Sequence, residues 1–342
     1  MSDIVNALRL IQAGGELSAE DTETVFGDIM QGRATPAQIG ALLMGLSIRG
    51  ETADIVAGAA RAMRHAATHI HPGVKGLLDT CGTGGDGTST FNISTTVALV
   101  VAACGVPVAK HGNRAVSSQS GSADVLEALG VRIDVSPEQV AECIDETGIG
   151  FLFAPAHHPA MKHAAPVRRE LGVRSIFNLL GPLTNPANAE YQVLGVYAGD
   201  KLELVAGALQ QLGVTRALVV HGRDGLDEIS TTTITDAMWV EQETPLREFE
   251  IDPAAFGMPY AKAADLAGGD AGVNAAIIRD VLDGKKGPER DIVLLNAAAA
   301  LWVAGRADGI APGLRTAAEA IDSGKAADVL ANLIAFTRST KT

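Results

Sequence analysis

Cysteine is scarce in this chain. The three present, Cys81, Cys104 and Cys143, are odd in number and show no C-x-x-C spacing. That argues against a disulfide framework or a zinc site and fits a reducing, cytoplasmic setting. Long apolar runs are missing too. Those over 97–109 and 292–304 fall short of the roughly 20 residues that a membrane span needs, and Gly105 and Pro107 interrupt the first. The start, MSDIVNALRLIQAGG, carries acidic and polar residues early and does not read as a signal peptide. Positive charge is also short: 27 Lys and Arg stand against 40 Asp and Glu, a formal charge of −13. Such a surface repels nucleic acid and anionic membranes, so neither is expected as a partner. The densest basic cluster, Arg168-Arg169 with Arg174 nearby, is too small for a duplex-binding face.

What remains is a globular composition, 47% hydrophobic and 20% charged over 342 residues. It allows one large domain or two unequal ones. Residues 1–70 read as helical. Ile4, Leu8 and Ile11, then Val25 and Ile29, then Ile39, Leu42, Leu43 and Leu46 recur at three- and four-residue spacings. Ser18, Thr35 ahead of Pro36, and Thr52 with Asp54 supply helix starts. From residue 76 short apolar runs end in polar or glycine-rich loops: GLLDTCGTGGD, VPVAKHGN, VRIDVSP, IGFLFAPAHHP, YQVLGVYAG and RALVVHGRDGLDEIS. Helical patterns lie between several of them, which predicts an α/β domain with a largely parallel sheet. Residues 162–180 read as helical again before Pro182, Asn185 and Pro186 break the chain.

The stretch DTCGTGGDGTSTFNIS, residues 79–94, packs Gly82, Gly84, Gly85 and Gly87 into six positions. The spacing satisfies G-x-G-x-x-G. A dinucleotide fingerprint also needs an acidic residue about 20 positions on. Here that place reads VAKHGNR and supplies Lys110, His111 and Arg114 instead. Cations and amides suit phosphate oxygens better than a ribose diol. Thr88, Ser89, Thr90, Asn92, Ser94, Thr95 and Thr96 add donors within nine residues. A helix starting near Asn92 would aim its positive end at the same place. A second polar cluster, KHGNRAVSSQSGSAD over 110–124, repeats the pattern. Two such clusters at consecutive strand ends point to a ligand with more than one phosphate.

Asp227-Glu228 follows another apolar run. Adjacent carboxylates are solvated surface in one reading and an anchor for Mg²⁺ in the other, because Mg²⁺ is held by hard oxygens together with substrate phosphates. His157, His158 and His163 lack the i, i+4 spacing of a helical zinc pair. They read as a loop lining a pocket or as a surface turn. His65, His69 and His71 read as exposed. No Ser-His-Asp or Cys-His set stands out, so the chemistry rests on charge positioning rather than on a covalent nucleophile.

The motifs GTGGD (82–86), NIST (92–95), KHGNRAVSSQSGSADVLEALG (110–130), HHPAM, VRRELGVRSIFNLLGPLTNP (167–186) and DGLDEIS (224–230) occur together and in order. In this the chain resembles the anthranilate phosphoribosyltransferase family from its first helices to about residue 335. The resemblance implies transfer of a 5-phosphoribosyl group from phosphoribosyl pyrophosphate to the amino group of anthranilate, a step in tryptophan synthesis. It implies a small helical domain, 1–72 with about 162–185 packing back, and a large α/β domain, 73–161 and 186–342. It also implies a homodimer joined through the helical domains.

Residue by residue, the resemblance implies that Gly82, Gly84, Gly85 and Asp86 form the diphosphate loop, continued by Thr90, Asn92, Ile93, Ser94 and Thr95. Lys110, His111, Gly112, Asn113, Arg114, Ala115, Val116, Ser117, Ser118 and Ser122 wrap the ribose and phosphates. Ser94, Asp227 and Glu228 hold one or two Mg²⁺ ions. Arg168 meets the anthranilate carboxylate, Asn113 and Gly82 lie beside anthranilate, and His111, His158, Pro159 and Met161 line its entry path. Two alternatives share the fold: a pyrimidine nucleoside phosphorylase-like enzyme and a non-catalytic nucleic-acid-binding relative. The carboxylate pair and the VRREL segment disfavour the first, and the −13 charge disfavours the second.

Overall fold

The structure is a computed structural model that describes residues 3–115 and 119–339. It opens with four helices, α1 (Asp3–Gln12), α2 (Ala19–Met30), α3 (Pro36–Arg49) and α4 (Ala53–His65). Their starts are set as the residue types predict. The Ser18 hydroxyl accepts from the Asp21 N–H, and Thr52 from the Ile55 N–H. Thr35 and Gln38 form a reciprocal capping box ahead of Pro36. The apolar stripes meet in one core through Ile4, Phe26, Ile29, Leu42 and Val56.

The remainder alternates as expected. It runs β1 (Leu78–Gly82), α5 (Ile93–Ala103), β2 (Val108–Gly112), α6 (Ser122–Leu129), α7 (Pro137–Thr147), β3 (Ile149–Phe153), α8 (Ala154–His157), α9 (Ala165–Leu171) and α10 (Phe177–Leu180). Then come β4 (Tyr191–Gly195), α11 (Leu202–Gln211), β5 (Arg216–Gly222), β6 (Thr235–Glu241), β7 (Arg247–Ile251), α12 (Ala271–Leu282), α13 (Pro288–Val303), α14 (Ile310–Asp322) and α15 (Lys325–Ser339). The sheet order is β3-β2-β1-β4-β5-β6-β7. The first five strands pair in parallel, and β6 and β7 complete the sheet antiparallel. Successive side chains of a strand face opposite ways. Accordingly Val193, Leu218 and Val220 enter the core made with α5 and α13, while Leu194, Ala217 and Val219 enter the one made with α4 and α11. Both faces of the sheet are covered, which is why its central strands are apolar throughout.

Three features depart from the sequence expectation. VRIDVSP forms an extended link between α6 and α7 and joins no strand, although Val131, Ile133 and Val135 are buried. The β6–β7 hairpin was not foreseen. The single helix expected over 162–180 is two short ones, broken where Gly172 takes φ +62°. This broken segment packs on the bundle, with Val167, Ile176, Phe177 and Leu180 in the same core as Phe26 and Leu42.

Strand order reverses around β1, with β2 and β3 on one side and β4 and β5 on the other. The carboxyl ends of strands flanking such a reversal leave a crevice, the usual ligand position in open α/β sheets. The glycine loop leaves β1 at that point. Among the described residues no helix is long and apolar enough to cross a membrane.

Candidate active site

The glycine loop and the acidic loop after β5 are in direct contact. The Gly84 N–H donates to Asp227 Oδ2 at 2.7 Å. Gly82 and Gly195, paired across β1 and β4, make room for Asp227: a Cβ on Gly82 would stand 2.1 Å from Asp227 Oδ2, and one on Gly195 1.6 Å from the Asp227 carbonyl oxygen. Only glycine fits under Asp227 at both positions. Gly84, Gly85 and Gly87 all take positive φ, which turns the loop over the strand end. The Asp86 side chain accepts from the Thr88 N–H and hydroxyl and lies beside Asp227.

Glu228 sits at the start of α5. Its Oε1 accepts from the Ser94 N–H at 3.1 Å. The sequence expectation gave the free end of this helix to a phosphate; in the structure a protein carboxylate takes one of its N–H groups. Ser94 is therefore brought to the Asp227-Glu228 pair, more than 130 positions away in sequence. Burial pushes the Asp227 carboxyl up, and the neighbouring Asp86 charge adds to it. Burial and then the Asp227 charge push Glu228 up, while Lys110 opposes the rise. Both residues keep some surface on solvent, so they are not sealed inside the core. Two desolvated carboxyls of raised pKa make a site whose charge a cation would balance.

The donor set fits Mg²⁺. Among the described residues no three His, Cys, Asp or Glu side chains cluster closely enough to hold a metal alone. Two carboxylates and a serine, leaving the other positions to phosphate and water, are the arrangement that Mg²⁺ favours.

The rest of the first loop is braced from below. The Asn92 side chain donates to the Ser120 carbonyl and accepts from Asn274 Nδ2 at 2.9 Å. Thr90 bridges Ala267. Ile93 and Thr95 are buried, and Thr95 Oγ1 has no hydrogen-bond partner. Asn274 lies 182 residues downstream of Asn92, and the 266–268 segment lies close before it, beyond the reach of a motif reading.

The second loop differs from expectation in two respects. Lys110 is buried, and its ammonium donates to the Thr80 carbonyl beneath the site. In this arrangement it does not face the opening; it stands close enough to Asp79 and Glu228 to compensate their charge. Arg114 is not free either: its guanidinium is paired with Asp124 at 3.0 Å and Glu127 at 2.5 Å. Asp124 also accepts from the Ala115 and Gly121 N–H groups. Ser122 donates to the Asn113 carbonyl at 3.2 Å, and Gly112 leaves space for Ser122 Oγ. Val116, Ser117 and Ser118 lie outside the described residues.

On the bundle side, the Arg168 guanidinium lies 5.0 Å from the centre of the Phe177 ring. Burial holds its pKa below the usual arginine value. Among the described residues it forms no ion pair and no side-chain hydrogen bond, so a half-buried cation stands ready for an anion. His157 and His158 are buried, which removes the surface-turn reading. The rings of His111 and His158 stand 5.2 Å apart, and Nε2 of each is buried without a partner. Burial lowers both pKa values, His158 to about 4, so both rings are neutral. Pro159 is exposed, and Met161 packs toward the bundle. His65 and His71 are exposed as expected; His69 is half-buried, with its ring nitrogens on the Pro186 and Arg64 carbonyls.

Sequence reasoning missed a buried polar knot below the site. Asp79 accepts from the His111 N–H at 3.1 Å and from Asn185 Nδ2 at 2.8 Å. Cys81 donates to the same carboxylate. Burial and Asp79 push that thiol well above its normal pKa, so it is a packed thiol and not a nucleophile.

Comparison with known proteins gives two family matches. The helical bundle domain of a glycosyl transferase family matches residues 5–67, and the a/b domain of that family matches residues 74–327. Anthranilate phosphoribosyltransferase of Acetivibrio thermocellus is 53% identical over 333 residues, covering 97% of this chain and 96% of its own. The Thioalkalivibrio sulfidiphilus protein of the same name is 54% identical over 342 residues, covering 98% and 99%. The crystal structure of the Thermus thermophilus enzyme superposes with a TM-score of 0.92 at 45% identity, covering 99% of this chain and all of the other. That of the Saccharomyces cerevisiae enzyme in complex with phosphoribosyl pyrophosphate and Mg gives 0.89 at 28% identity, covering 98% of each.

Proposed function

The chain belongs to the anthranilate phosphoribosyltransferase family, and from that premise we propose how its own residues transfer the 5-phosphoribosyl group of phosphoribosyl pyrophosphate to anthranilate. The observation that carries the reading is the junction of the glycine loop with Asp227 and Glu228 at the point where strand order reverses. Gly85 and Asp86 present backbone N–H groups to the diphosphate, while Gly82 and Gly84 shape the loop, the Gly84 N–H being held by Asp227. Asn92 and Ser94 continue that surface, with Thr95 buried behind them. Asn113, Arg114 and Ser122 reach the ribose and its phosphate, Arg114 after exchanging Asp124 and Glu127 for the ligand. Lys110 serves from beneath, as the buried countercharge to Glu228.

Mg²⁺ held by Asp227, Glu228 and Ser94, one ion or two, would stabilise the charge that grows on the departing diphosphate. Arg168 takes the anthranilate carboxylate in its planar fork, and Phe177 holds the guanidinium in place. Gly82 and Asn113 border the amine. His111 and His158, neutral and buried, offer Nε2 to it along the entry path that Pro159 and Met161 flank. An aromatic amine needs no base to become a nucleophile at neutral pH, since it is already unprotonated. Its ortho carboxylate can take the proton as the C–N bond forms and the C–O bond to diphosphate breaks. No triad is required.

The reading is tested by mixing the protein with anthranilate, phosphoribosyl pyrophosphate and Mg²⁺ and following anthranilate fluorescence. Loss that needs all three supports it; no loss from a folded protein overturns it.

The domain division we propose is the one read from the sequence, 1–72 with 162–185, and 73–161 with 186–342, in a cytoplasmic enzyme. A homodimer would join through the bundle, where Ile48 of α3 is 78% exposed and Leu10 of α1 is 39% exposed. Ile48→Asp should give a monomer by analytical ultracentrifugation.

A further inference from the structure

We propose that Arg174 is a positioning residue: it fixes the carbonyl of Gly85 and so decides which way the glycine loop presents its N–H groups. The proposal rests on the reading that this loop holds the diphosphate.

Arg174 lies between α9 and α10, two residues past the Gly172 break, in the segment that packs on the bundle. Its Nη2 donates to the Gly85 carbonyl. Its Cζ stands 4.4 Å from the centre of the Tyr197 ring. The Tyr197 N–H donates to Thr83 Oγ1 at 3.1 Å, and the Thr83 N–H donates to the Gly195 carbonyl at 2.9 Å. One guanidinium is thus held between a loop carbonyl and an aromatic ring whose own backbone is tied to the start of the same loop. Among the described residues no carboxylate pairs with Arg174, so its charge is not neutralised within the chain.

The loop needs such a hold. Gly84, Gly85 and Gly87 have φ of +65°, +73° and +76°. Glycine rotates between backbone states at little cost, so the peptide after Gly85 has no side chain to stop it turning over. Across a planar trans peptide the C=O and the next N–H point in opposite directions. Fixing the Gly85 oxygen on the Arg174 side therefore turns the Asp86 N–H to the other side. A released peptide would be free to turn an oxygen where an anion is to be held. Stacking on Tyr197 while donating in plane is a task for a flat guanidinium, not for an ammonium. The contact also joins the bundle-side segment to the sheet-side loop.

The test is steady-state kinetics on the full-length chain with Arg174→Met, Arg174→Lys, Tyr197→Leu and Tyr197→Phe, folding being checked by circular dichroism. Losing a charge-assisted hydrogen bond predicts that Arg174→Met raises KM for phosphoribosyl pyrophosphate about tenfold, with KM for anthranilate little changed. Arg174→Lys and Tyr197→Leu should give smaller rises, and Tyr197→Phe, which keeps the ring, a smaller rise than Tyr197→Leu. An unchanged KM for phosphoribosyl pyrophosphate in Arg174→Met, or a rise confined to anthranilate, overturns the proposal. If the wild-type protein turns nothing over, it is the reading of the loop's substrate that fails. Calorimetric titration with inorganic pyrophosphate and Mg²⁺ then decides on Arg174 alone: weaker binding by Arg174→Met supports its role, and equal binding removes it.

Discussion

The Gly84 N–H donates to the Asp227 carboxylate at 2.7 Å, and this one bond makes the phosphate-type loop and the acidic loop a single structure. Asp227 and Glu228 are held where burial raises their pKa, so the folded chain bears an electrostatic cost that a bound cation relieves. Asp227→Asn combined with Glu228→Gln should leave the metal-free protein as stable as wild type or more so. Mg²⁺ should raise the melting temperature of wild type but not that of the double variant, and the double variant should lose turnover by about a hundredfold or more. Thermal melts with and without Mg²⁺ read this directly. An undiminished Mg²⁺ shift in the double variant would remove both residues from the metal site.

Gly195 touches no substrate in the proposed scheme, yet it governs the same site. A Cβ there would collide with the Asp227 backbone at 1.6 Å, and backbone has little freedom to give way. Gly195→Ala should cost about 1–3 kcal/mol of stability, as overpacked sites do, and should weaken Mg²⁺ binding through displaced Asp227. Gly27→Ala is the contrast. That glycine sits in the middle of α2 with nothing within 4 Å of its Cβ position. The change should stabilise the bundle by about 0.5–1 kcal/mol from helix propensity alone. Urea unfolding of the two variants separates the effects, and equal stabilities would count against the packing argument.

Much of this was legible beforehand, for a physical reason. Helix starts, strand runs and glycine loops are encoded within a few residues, so Ser18, Thr35, Thr52 and the GTGGD turn announced themselves. The residues alone left Asp227 and Glu228 open between solvated surface and a Mg²⁺ anchor, and only the resemblance joined them to Ser94, since their setting depends on Gly84 and Ser94 across the sheet. The state of Arg114 and Lys110 was illegible. Nothing local says that Asp124 and Glu127 occupy the one, or that the other turns down to Thr80. The β6–β7 hairpin was missed because REFEI is mostly charged, as an edge strand can be without harm. VRIDVSP misled in the opposite way. Its period-2 pattern reports burial, which is real, but burial against helices needs no ladder partner.

Arg168 is a cation without an anion, half-buried against Phe177. A desolvated guanidinium gains most from a carboxylate that meets its fork. Arg168→Met should raise KM for anthranilate about tenfold or more, while KM for phosphoribosyl pyrophosphate stays within about twofold. Arg168→Lys should not restore it, because an ammonium cannot lie on the ring and offer two parallel donors. An anthranilamide substrate, which lacks the carboxylate, should lose the distinction between wild type and Arg168→Met. If the two proteins still differ on the amide by the same factor, Arg168 does not read the carboxylate.

His158 provides a pH signature. Burial, then the charges of His157 and His69, lowers its pKa from 6.5 to about 4. A base whose folded pKa is depressed binds its proton more readily in the unfolded chain. The stability it contributes is therefore whole above pH 6.5 and is lost as pH falls toward 4, at about 1.4 kcal/mol per pH unit between the two. His111 is lowered in the same direction. Asp79, Asp227 and Glu228 are carboxyls raised by burial, so they act in the opposite sense, and the net slope of wild type does not isolate the histidine. The difference from His158→Gln does, since glutamine keeps polarity and does not titrate. The variant should be less stable than wild type at pH 7.5, and that gap should narrow by about 2 kcal/mol at pH 5. Urea denaturation at the two pH values measures it. A gap that stays constant means that the folded and unfolded chains bind the proton equally, so burial does not lower the His158 pKa and the neutral ring offered to an incoming amine does not follow from it.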